Sequence, residues 1–194
     1  NSVKVAIRVR PFNSRELKLD SNAIPIVKIN SSQQCMLTEP VTNQETPFAF
    51  DYCFGSDSTQ EEVYDQLGVK IVDDALAGYN VCIFAYGQTG SGKSHTMIGG
   101  QEDNSEGLVP RISRDLFRRI EEMQKNDEEM SFEVNTSMIE IYNEQIRDLR
   151  VINKKKKEEY KSLQLRQHPV MGVYIQDVKW IIVEKHEELQ KEFD

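Results

Sequence analysis

Apolar and polar positions alternate at the start of the chain, and this pattern predicts a β-strand. Residues 3–10 place Val3, Val5 and Ile7 at every second position, and Pro11 ends the run. Residues up to about Pro47 have the character of short strands and turns. A further strand is predicted over residues 48–52.

A helical pattern follows this strand. Ser58 and Glu61 have the spacing of a capping box, which marks a helix start. Apolar side chains then recur every fourth residue, at Val63, Leu67, Ile71 and Ala75. Because Gly78 is suited to a C-terminal cap, the pattern predicts a helix of about five turns.

The middle of the chain has the longest apolar run. Residues 80–86 are nearly all apolar and have the length of a strand, so we expect a central strand buried on both faces. A polar loop over residues 99–107 follows. Pro110 then suits the first turn of a helix that carries apolar residues on one side, at Ile112, Leu116, Phe117 and Ile120.

The last third of the chain reads as strands and a final helix. Residues 132–142 alternate, but Ile139 and Ile141 change face, which predicts a bulge or a strand covered on both sides. Residues 163–183 are expected to form short strands broken by Pro169 and Gly172, and residues 184–193 a helix. Strands and helices that alternate around a buried strand predict an α/β fold with helices on both faces of the sheet.

Composition narrows the function classes. The chain has 194 residues, and 24 Lys and Arg against 32 Asp and Glu give a net charge of −8. This balance argues against a general affinity for nucleic acid or anionic membranes. No apolar run reaches the length of a membrane-spanning helix. Cys35, Cys53 and Cys82 form no CxxC pair, which favours free thiols in a reducing compartment over disulfides or a zinc site.

One motif carries chemistry. The run G-x-x-x-x-G-K-[ST] is matched in full by Gly87, Gln88, Thr89, Gly90, Ser91, Gly92, Lys93 and Ser94, after an apolar strand pattern and before a helix start. Such a loop turns backbone amides toward phosphate oxygens. We expect Lys93 to approach the β- and γ-phosphates, Ser94 to offer its hydroxyl to Mg²⁺, and the next helix to contribute its dipole.

The sequence around the loop resembles the kinesin motor domain. The resemblance includes residues 79–86 before the loop and His95-Thr96-Met97 after it. Three further stretches follow in the family's order, at residues 7–13, at residues 138–149 and at residues 166–172. It covers residues 3–193 and is greatest with the kinesin-3 type. It implies a three-layer P-loop NTPase fold with a central, mostly parallel sheet flanked by helices, and a microtubule motor ATPase that binds ATP or ADP with Mg²⁺.

The resemblance also implies a base site. In kinesins the purine lies against the residues that correspond to Arg8 and Pro11, near the one that corresponds to His95. Their flat or apolar faces suit stacking without strict hydrogen-bond readout. Without the resemblance, Arg8 would be interpreted as a solvent-exposed charge on a strand, and His95 as a surface or capping residue. The role of Arg10 stays open between a carboxylate pair and a nucleotide contact.

A basic segment falls where kinesins face tubulin. It comprises Lys154, Lys155, Lys156, Lys157, Lys161 and Arg166. Because tubulin is acidic, local positive charge on this acidic chain would favour docking. The alternative is a solvated charge run. The implied location is the cytoplasm and its microtubule cytoskeleton, with dimerisation or cargo binding through regions outside the chain.

The chain lacks the motifs that complete a motor. Neither the S-S-R-S-H run of the first switch nor the D-x-x-G-x-E run of the second occurs in it. We therefore expect residues 1–194 to be the N-terminal portion of a motor domain. Both switches and the main microtubule-binding helix would then lie beyond the chain end, with no catalytic residue inside it.

Two other functions stay open at this point. A non-motile nucleotide- or microtubule-binding module could have kept the fold and lost the switches. A P-loop small-molecule kinase would need arginines for a phosphate acceptor after the loop, but residues 99–107 contain Glu102, Asp103 and Glu106 and no arginine.

Overall fold

The computed structural model describes residues 3–100, 104–151, 162–170 and 172–191. The chain divides into two compact units, Asn1–Asp115 and Leu116–Asp194. Within the described residues, no helix is both long and apolar enough to cross a membrane.

The first unit begins with two small sheets. β1 (Ala6–Arg8) pairs in parallel with β5 (Tyr52–Phe54). β2 (Val27–Ser31), β3 (Gln34–Thr38) and β4 (Glu45–Ala49) form an antiparallel sheet in that order. Among the described strands, β1 and β5 form the parallel pair and the other pairs are antiparallel.

The strand predicted over residues 48–52 is wrong in its bounds. β4 ends at Ala49 and β5 begins at Tyr52. Between them the Phe50 amide donates to the carbonyl of Gln33, and the Asp51 amide donates to the carbonyl of Val5. The chain therefore changes sheets at this point, because successive backbone groups find partners on different strands.

A short helix in the N-terminal segment escaped the sequence analysis. α1 (Ser14–Leu19) begins at Asn13, whose side chain accepts hydrogen bonds from the backbone of Arg15 and Glu16. Glu16 accepts in return from the Asn13 amide, which completes a capping box. This signal was present in the sequence as Asn13 and Glu16, three residues apart.

The predicted long helix is present as three consecutive segments. They are α2 (Gln60–Val63), a π-helical turn (Tyr64–Gly68) and α3 (Val69–Leu76). Its capping box lies one residue later than predicted, with Thr59 and Glu62 in place of Ser58 and Glu61.

The π-helical turn changes which face of this helix is buried. A Cβ on Gly68 would lie 2.3 Å from the Tyr64 ring, so the absence of a side chain lets that ring pack on the backbone. Val72 is consequently buried, whereas Ala75, on the predicted apolar stripe, is exposed. Gly78 closes the helix as predicted, and the Tyr79 amide donates to the carbonyl of Asp74.

The core of the first unit joins the end of β5 to two helices. Phe54, Val63 and Leu108 are its buried members. Partly buried side chains pack around them, namely Tyr52, Tyr64, Leu67, Ile83, Met97 and Ile112. The core therefore fixes both sides of the segment that contains the phosphate-loop motif.

The central strand predicted over residues 80–86 is wrong for the described structure. The segment pairs with no described strand, and Phe84 and Tyr86 are 80% and 95% exposed. Ile83, by contrast, is partly buried against the core. An apolar run becomes a buried strand only when other strands satisfy its backbone, and none of the described strands lies alongside it.

One long helix continues into the second unit. α5 (Leu108–Asn126) carries Pro110 in its first turn as predicted, and Phe117 and Ile120 are buried. The predicted strand over residues 132–142 is interrupted, with β6 at Asn135–Thr136 and β7 at Ile139–Tyr142. The change of face at Ile139 therefore marks a break between two strands.

The remaining strands of the second unit form antiparallel pairs. β7 pairs with β8 (Gln145–Asp148), β9 (Gln164–His168) pairs with β10 (Gly172–Gln176), and β11 (Ile181–Ile182) pairs with β6. Asn143 and Glu144 have φ angles of 48° and 61° and form the tight turn of the first hairpin. α6 (His186–Gln190) confirms a final helix, although residues 192–194 lie outside the described residues.

Candidate functional site

The motif at residues 87–94 forms a glycine-rich turn ahead of α4 (Lys93–Met97). Gly92 precedes this helix with φ 97°, in the left-handed region that favours glycine. A Cβ on Gly87 would lie 2.5 Å from the Ser91 hydroxyl oxygen. Side chains at these two positions would therefore distort the turn, which explains in physical terms why the motif requires glycine there.

Lys93 bends back over the loop that precedes it. Its Nζ donates to the carbonyl oxygens of Gly87 at 2.8 Å and Gln88 at 2.9 Å. Because an ammonium group has three N–H donors, these bonds leave one for an anion near the loop. The two carbonyls thus hold the charge of Lys93 at the loop.

The helix after the loop is short. α4 has five residues, and its first backbone hydrogen bond runs from the Thr96 amide to the Gly92 carbonyl at 2.9 Å. A helix dipole grows with the number of aligned peptide units. The expected dipole contribution is therefore reduced, and the attraction for phosphate rests on Lys93 and the loop backbone.

Arg8 extends from the end of β1 into a polar pocket. Its Nη1 donates to Gln60 Oε1 at 2.7 Å and to Thr96 Oγ1 at 3.1 Å. Its Nη2 donates to the Ser58 carbonyl at 3.1 Å. Burial lowers the pKa of Arg8 from its usual range, but an arginine stays charged at neutral pH. Arg8 is therefore a fixed, half-buried cation rather than a solvated strand charge.

Gln60 was missed by the sequence analysis. Its side chain is buried and binds Arg8 through Oε1, while Nε2 donates to the carbonyl of His95 at 2.6 Å and of Ser105 at 3.0 Å. The sequence shows it only as the first residue after a capping position. Nothing local indicates its partners, because they lie far away in the chain.

Arg10 pairs with a carboxylate, which is one of the two roles that its sequence position left open. Its Nη1 donates to Glu16 Oε2 at 2.7 Å, and Nη2 donates to Glu16 Oε1. Its Nε donates to the carbonyl of Gly90 at 2.7 Å. The hydrogen bonds from Arg10, supported by the Asn13 amide, lower the pKa of Glu16 to about 2.

The proposed base-site residues meet in one pocket of about 140 Å³. Arg8, Pro11 and His95 line it together with Ser91 and Gly92 from the loop. The other lining residues are Val9, Arg10, Gly55, Ser56, Ser58 and Thr96. The other six predicted residues of the loop do not line this pocket, namely Gly87, Gln88, Thr89, Gly90, Lys93 and Ser94. The pocket therefore contains the predicted base site and reaches one side of the loop, at Ser91 and Gly92.

The predicted magnesium ligand is exposed. Ser94 is the second residue of α4, directly after Lys93. Within the described residues, no group of three or more His, Cys, Asp or Glu side chains could hold a metal ion by itself. Mg²⁺ at phosphates commonly uses one or two protein ligands and takes the rest from phosphate and water. A single hydroxyl at Ser94 fits that pattern.

The predicted tubulin-facing residues are described in part. Arg166 lies on β9 and is exposed, and it donates to Gln176 Oε1 at 3.0 Å and to Gln164 Oε1. Lys154, Lys155, Lys156, Lys157 and Lys161 lie outside the described residues.

Comparison with known proteins decides the family. The model of the kinesin motor domain matches residues 8–194. The chain belongs to the kinesin motor domain family. It is 41% identical to the kinesin-like protein KIF1A of Rattus norvegicus, over 100% of this chain and 11% of the relative. It is 40% identical to the kinesin-like protein unc-104 of Caenorhabditis elegans, over 92% of this chain and 11% of the relative.

Solved kinesin structures confirm the fold. KIF14 as a dimer in the two-heads-bound state, with AMP-PNP and in complex with a microtubule, matches with a TM-score of 0.88 and 35% identity. This match covers 100% of this chain and 53% of the KIF14 chain. KIF14 with ADP, in complex with a microtubule, matches with a TM-score of 0.86 and 36% identity, over 98% and 53% of the two chains. The predicted α/β kinesin fold and the kinesin-3 resemblance are thus confirmed, and the chain spans about half of the solved motor chains.

Proposed function

We propose that this kinesin chain supplies the nucleotide cradle of a microtubule motor ATPase. The observation that carries the proposal is the pocket in which Arg8, Pro11 and His95 meet Ser91 and Gly92 of the phosphate loop. Family membership supports it, since relatives in this family were solved with AMP-PNP or ADP. Membership of the kinesin family also favours a motor over a small-molecule kinase.

Each group in the cradle has a distinct role in the proposal. The purine base lies against Pro11 and His95, with the guanidinium plane of Arg8 beside it. The phosphates lie on the loop of residues 87–94, where Lys93 contributes its remaining N–H donor. Ser94 supplies one hydroxyl ligand to Mg²⁺, which neutralises phosphate charge when bound.

Microtubules are the proposed partner, and the microtubule cytoskeleton of the cytoplasm is the proposed location. The KIF14 structures in complex with microtubules support both parts of the proposal. Arg166 is an exposed cation on β9, and it belongs to the basic segment that the resemblance assigns to the tubulin-facing surface. Local positive charge suits an acidic partner even though the chain carries a net charge of −8.

Binding and hydrolysis are separable in this chain. Hydrolysis needs a positioned water and stabilised charge on the transferred phosphoryl group. The residues that provide these in kinesins belong to two switch motifs, neither of which occurs in residues 1–194. We therefore expect the chain to bind nucleotide and to show no ATPase stimulated by microtubules.

The test measures both activities on the same preparation. Fluorescent ADP should bind saturably in the presence of Mg²⁺ and more weakly after chelation by EDTA. Phosphate release from ATP should be equal with and without microtubules. Absence of saturable nucleotide binding would contradict the cradle, and microtubule-stimulated release would show that residues 1–194 hold catalytic groups.

A further inference from the structure

Gln60 is a buried polar side chain at which three chain segments meet. Its side chain joins Arg8 of β1, the carbonyl of His95 in α4 and the carbonyl of Ser105 in the loop of residues 99–107. The three distances are 2.7 Å, 2.6 Å and 3.0 Å. Gln60 is 6% exposed, so these bonds form away from water and a lost partner would be costly.

The chemistry of the three partners specifies an amide. The guanidinium of Arg8 offers only donors, so it requires an acceptor oxygen. The two backbone carbonyls accept, so they require N–H donors. Glutamine provides one oxygen and two N–H groups on a side chain of this length. Neither a glutamate nor an aliphatic residue could satisfy all three partners.

One of the three bonds of Gln60 helps to fix the orientation of Arg8. Its Nη1 is held by Gln60 and Thr96, and its Nη2 by the Ser58 carbonyl. Because a guanidinium is planar, donors fixed at both Nη atoms determine which way its face points. A flat aromatic ligand binds more tightly to a face that is already held in place, because less ordering of the side chain is then needed.

We infer that Gln60 is a positioning residue for the purine side of the nucleotide site, acting through Arg8 and through the backbone of His95. The inference rests on the proposed nucleotide-binding function. Gln60 then affects the part of the site that holds the base and has no direct role at the phosphates. Its bond to the Ser105 carbonyl also connects Gln60 to the residues that lie just before α5.

A merely structural role predicts a different result. Gln60 lies next to the core residue Val63 on α2, so its replacement could loosen the whole unit. A general loss of stability would weaken the binding of every ligand of the site to a similar extent. A positioning role at the base site instead predicts a selective loss: the affinity for nucleotides falls, whereas the affinity for pyrophosphate, which has no nucleoside, does not.

The experiment compares Mg·ADP with Mg·pyrophosphate by calorimetry on the 194-residue chain. Gln60→Met keeps length and helix preference but removes the amide. This substitution should weaken the binding of Mg·ADP about tenfold and change the affinity for Mg·pyrophosphate less than about twofold. Gln66→Met makes the same chemical change at an exposed position in the adjoining π-helical turn and should alter neither affinity.

A double-mutant cycle separates action through Arg8 from an independent effect. If Gln60 acts through Arg8, the double variant Arg8→Met with Gln60→Met should bind Mg·ADP almost as well as the single variant Arg8→Met. Should Gln60→Met fail to fold, Gln60→Asn keeps the amide but shortens its reach and should show the same selective loss. Folding of each variant is checked by thermal melting.

The outcomes distinguish this inference from the function on which it rests. If the unaltered chain fails to bind Mg·ADP, the proposed function is wrong. If it binds Mg·ADP but Gln60→Met binds it equally well, only the positioning role is wrong. Equal losses for Mg·ADP and Mg·pyrophosphate would likewise overturn the positioning role.

Discussion

Arg10 joins the N-terminal segment to the phosphate loop, because its Nε donates to the carbonyl oxygen of Gly90 at 2.7 Å. The other end of the same guanidinium is held by Glu16 in a bidentate pair. The position of Gly90 therefore depends on a carboxylate in α1, a helix outside the motif. This arrangement makes the loop sensitive to the charge of Glu16.

Stability should fall as Glu16 is protonated. The pKa of Glu16 is lowered from 4.5 to about 2, so its contribution is present above about pH 4.5 and is lost as pH falls toward 2. Replacement by glutamine should flatten the dependence of thermal stability on pH within this window. Glu61→Gln removes the same charge at an exposed position and controls for net charge. An unchanged slope for Glu16→Gln would show that the pair with Arg10 does not form in solution.

The cysteines should differ sharply in reactivity. Cys35 and Cys53 are buried, and burial, together with the neighbouring Cys35 thiol, raises the pKa of Cys53. Cys82 is exposed, within the apolar run of residues 80–86. Iodoacetamide at pH 8 should therefore modify one thiol rapidly, and Cys82→Ser should abolish that rapid phase. Slow reaction at Cys82, located by mass spectrometry, would indicate that residues 80–86 form a protected strand after all.

Local signals in the sequence predicted the features that are themselves local. The phosphate loop follows from the spacing of its glycines, and the C-terminal cap at Gly78 from one residue type. The capping box of the long helix was displaced by only one residue, because Ser58 and Thr59 both have capping hydroxyls. Resemblance added Arg8, Pro11 and His95, which the structure places in one pocket.

Features that depend on distant partners could not be predicted. The partners of Gln60 are Arg8, His95 and Ser105, which are separated from it by 52, 35 and 45 positions in the sequence. No local sequence pattern therefore reveals its role. The run of residues 80–86 has a strand composition, yet whether it is a strand depends on neighbours elsewhere in the chain. In the π-helical turn Tyr64 packs against Gly68, and an apolar pattern that repeats every four residues does not predict this contact.

Positive charge in the basic segment should contribute to microtubule binding. In a complete motor domain that contains this chain, replacement of Lys161 and Arg166 together by glutamate should lower the fraction of protein that sediments with microtubules at low salt, and should weaken the dependence of that fraction on salt. Lys28→Glu, at an exposed position on β2, is a control for charge reversal elsewhere. Equal sedimentation of the double variant and the unaltered motor domain at low salt would assign these two cations to a solvated surface.

The most direct test of the nucleotide cradle is calorimetric titration of Mg·ADP into the chain and into Lys93→Ala. Lys93 is held over the loop by the carbonyls of Gly87 and Gln88, and its loss removes the side-chain cation of the motif. The variant should bind Mg·ADP at least about tenfold more weakly, since hydrogen bonds to charged groups each contribute about 1.5–3 kcal/mol. Lys70→Ala removes an exposed lysine that pairs with Asp74 on α3 and should leave the affinity unchanged. Equal affinities of Lys93→Ala and the unaltered chain would contradict the assignment of residues 87–94 as the phosphate site.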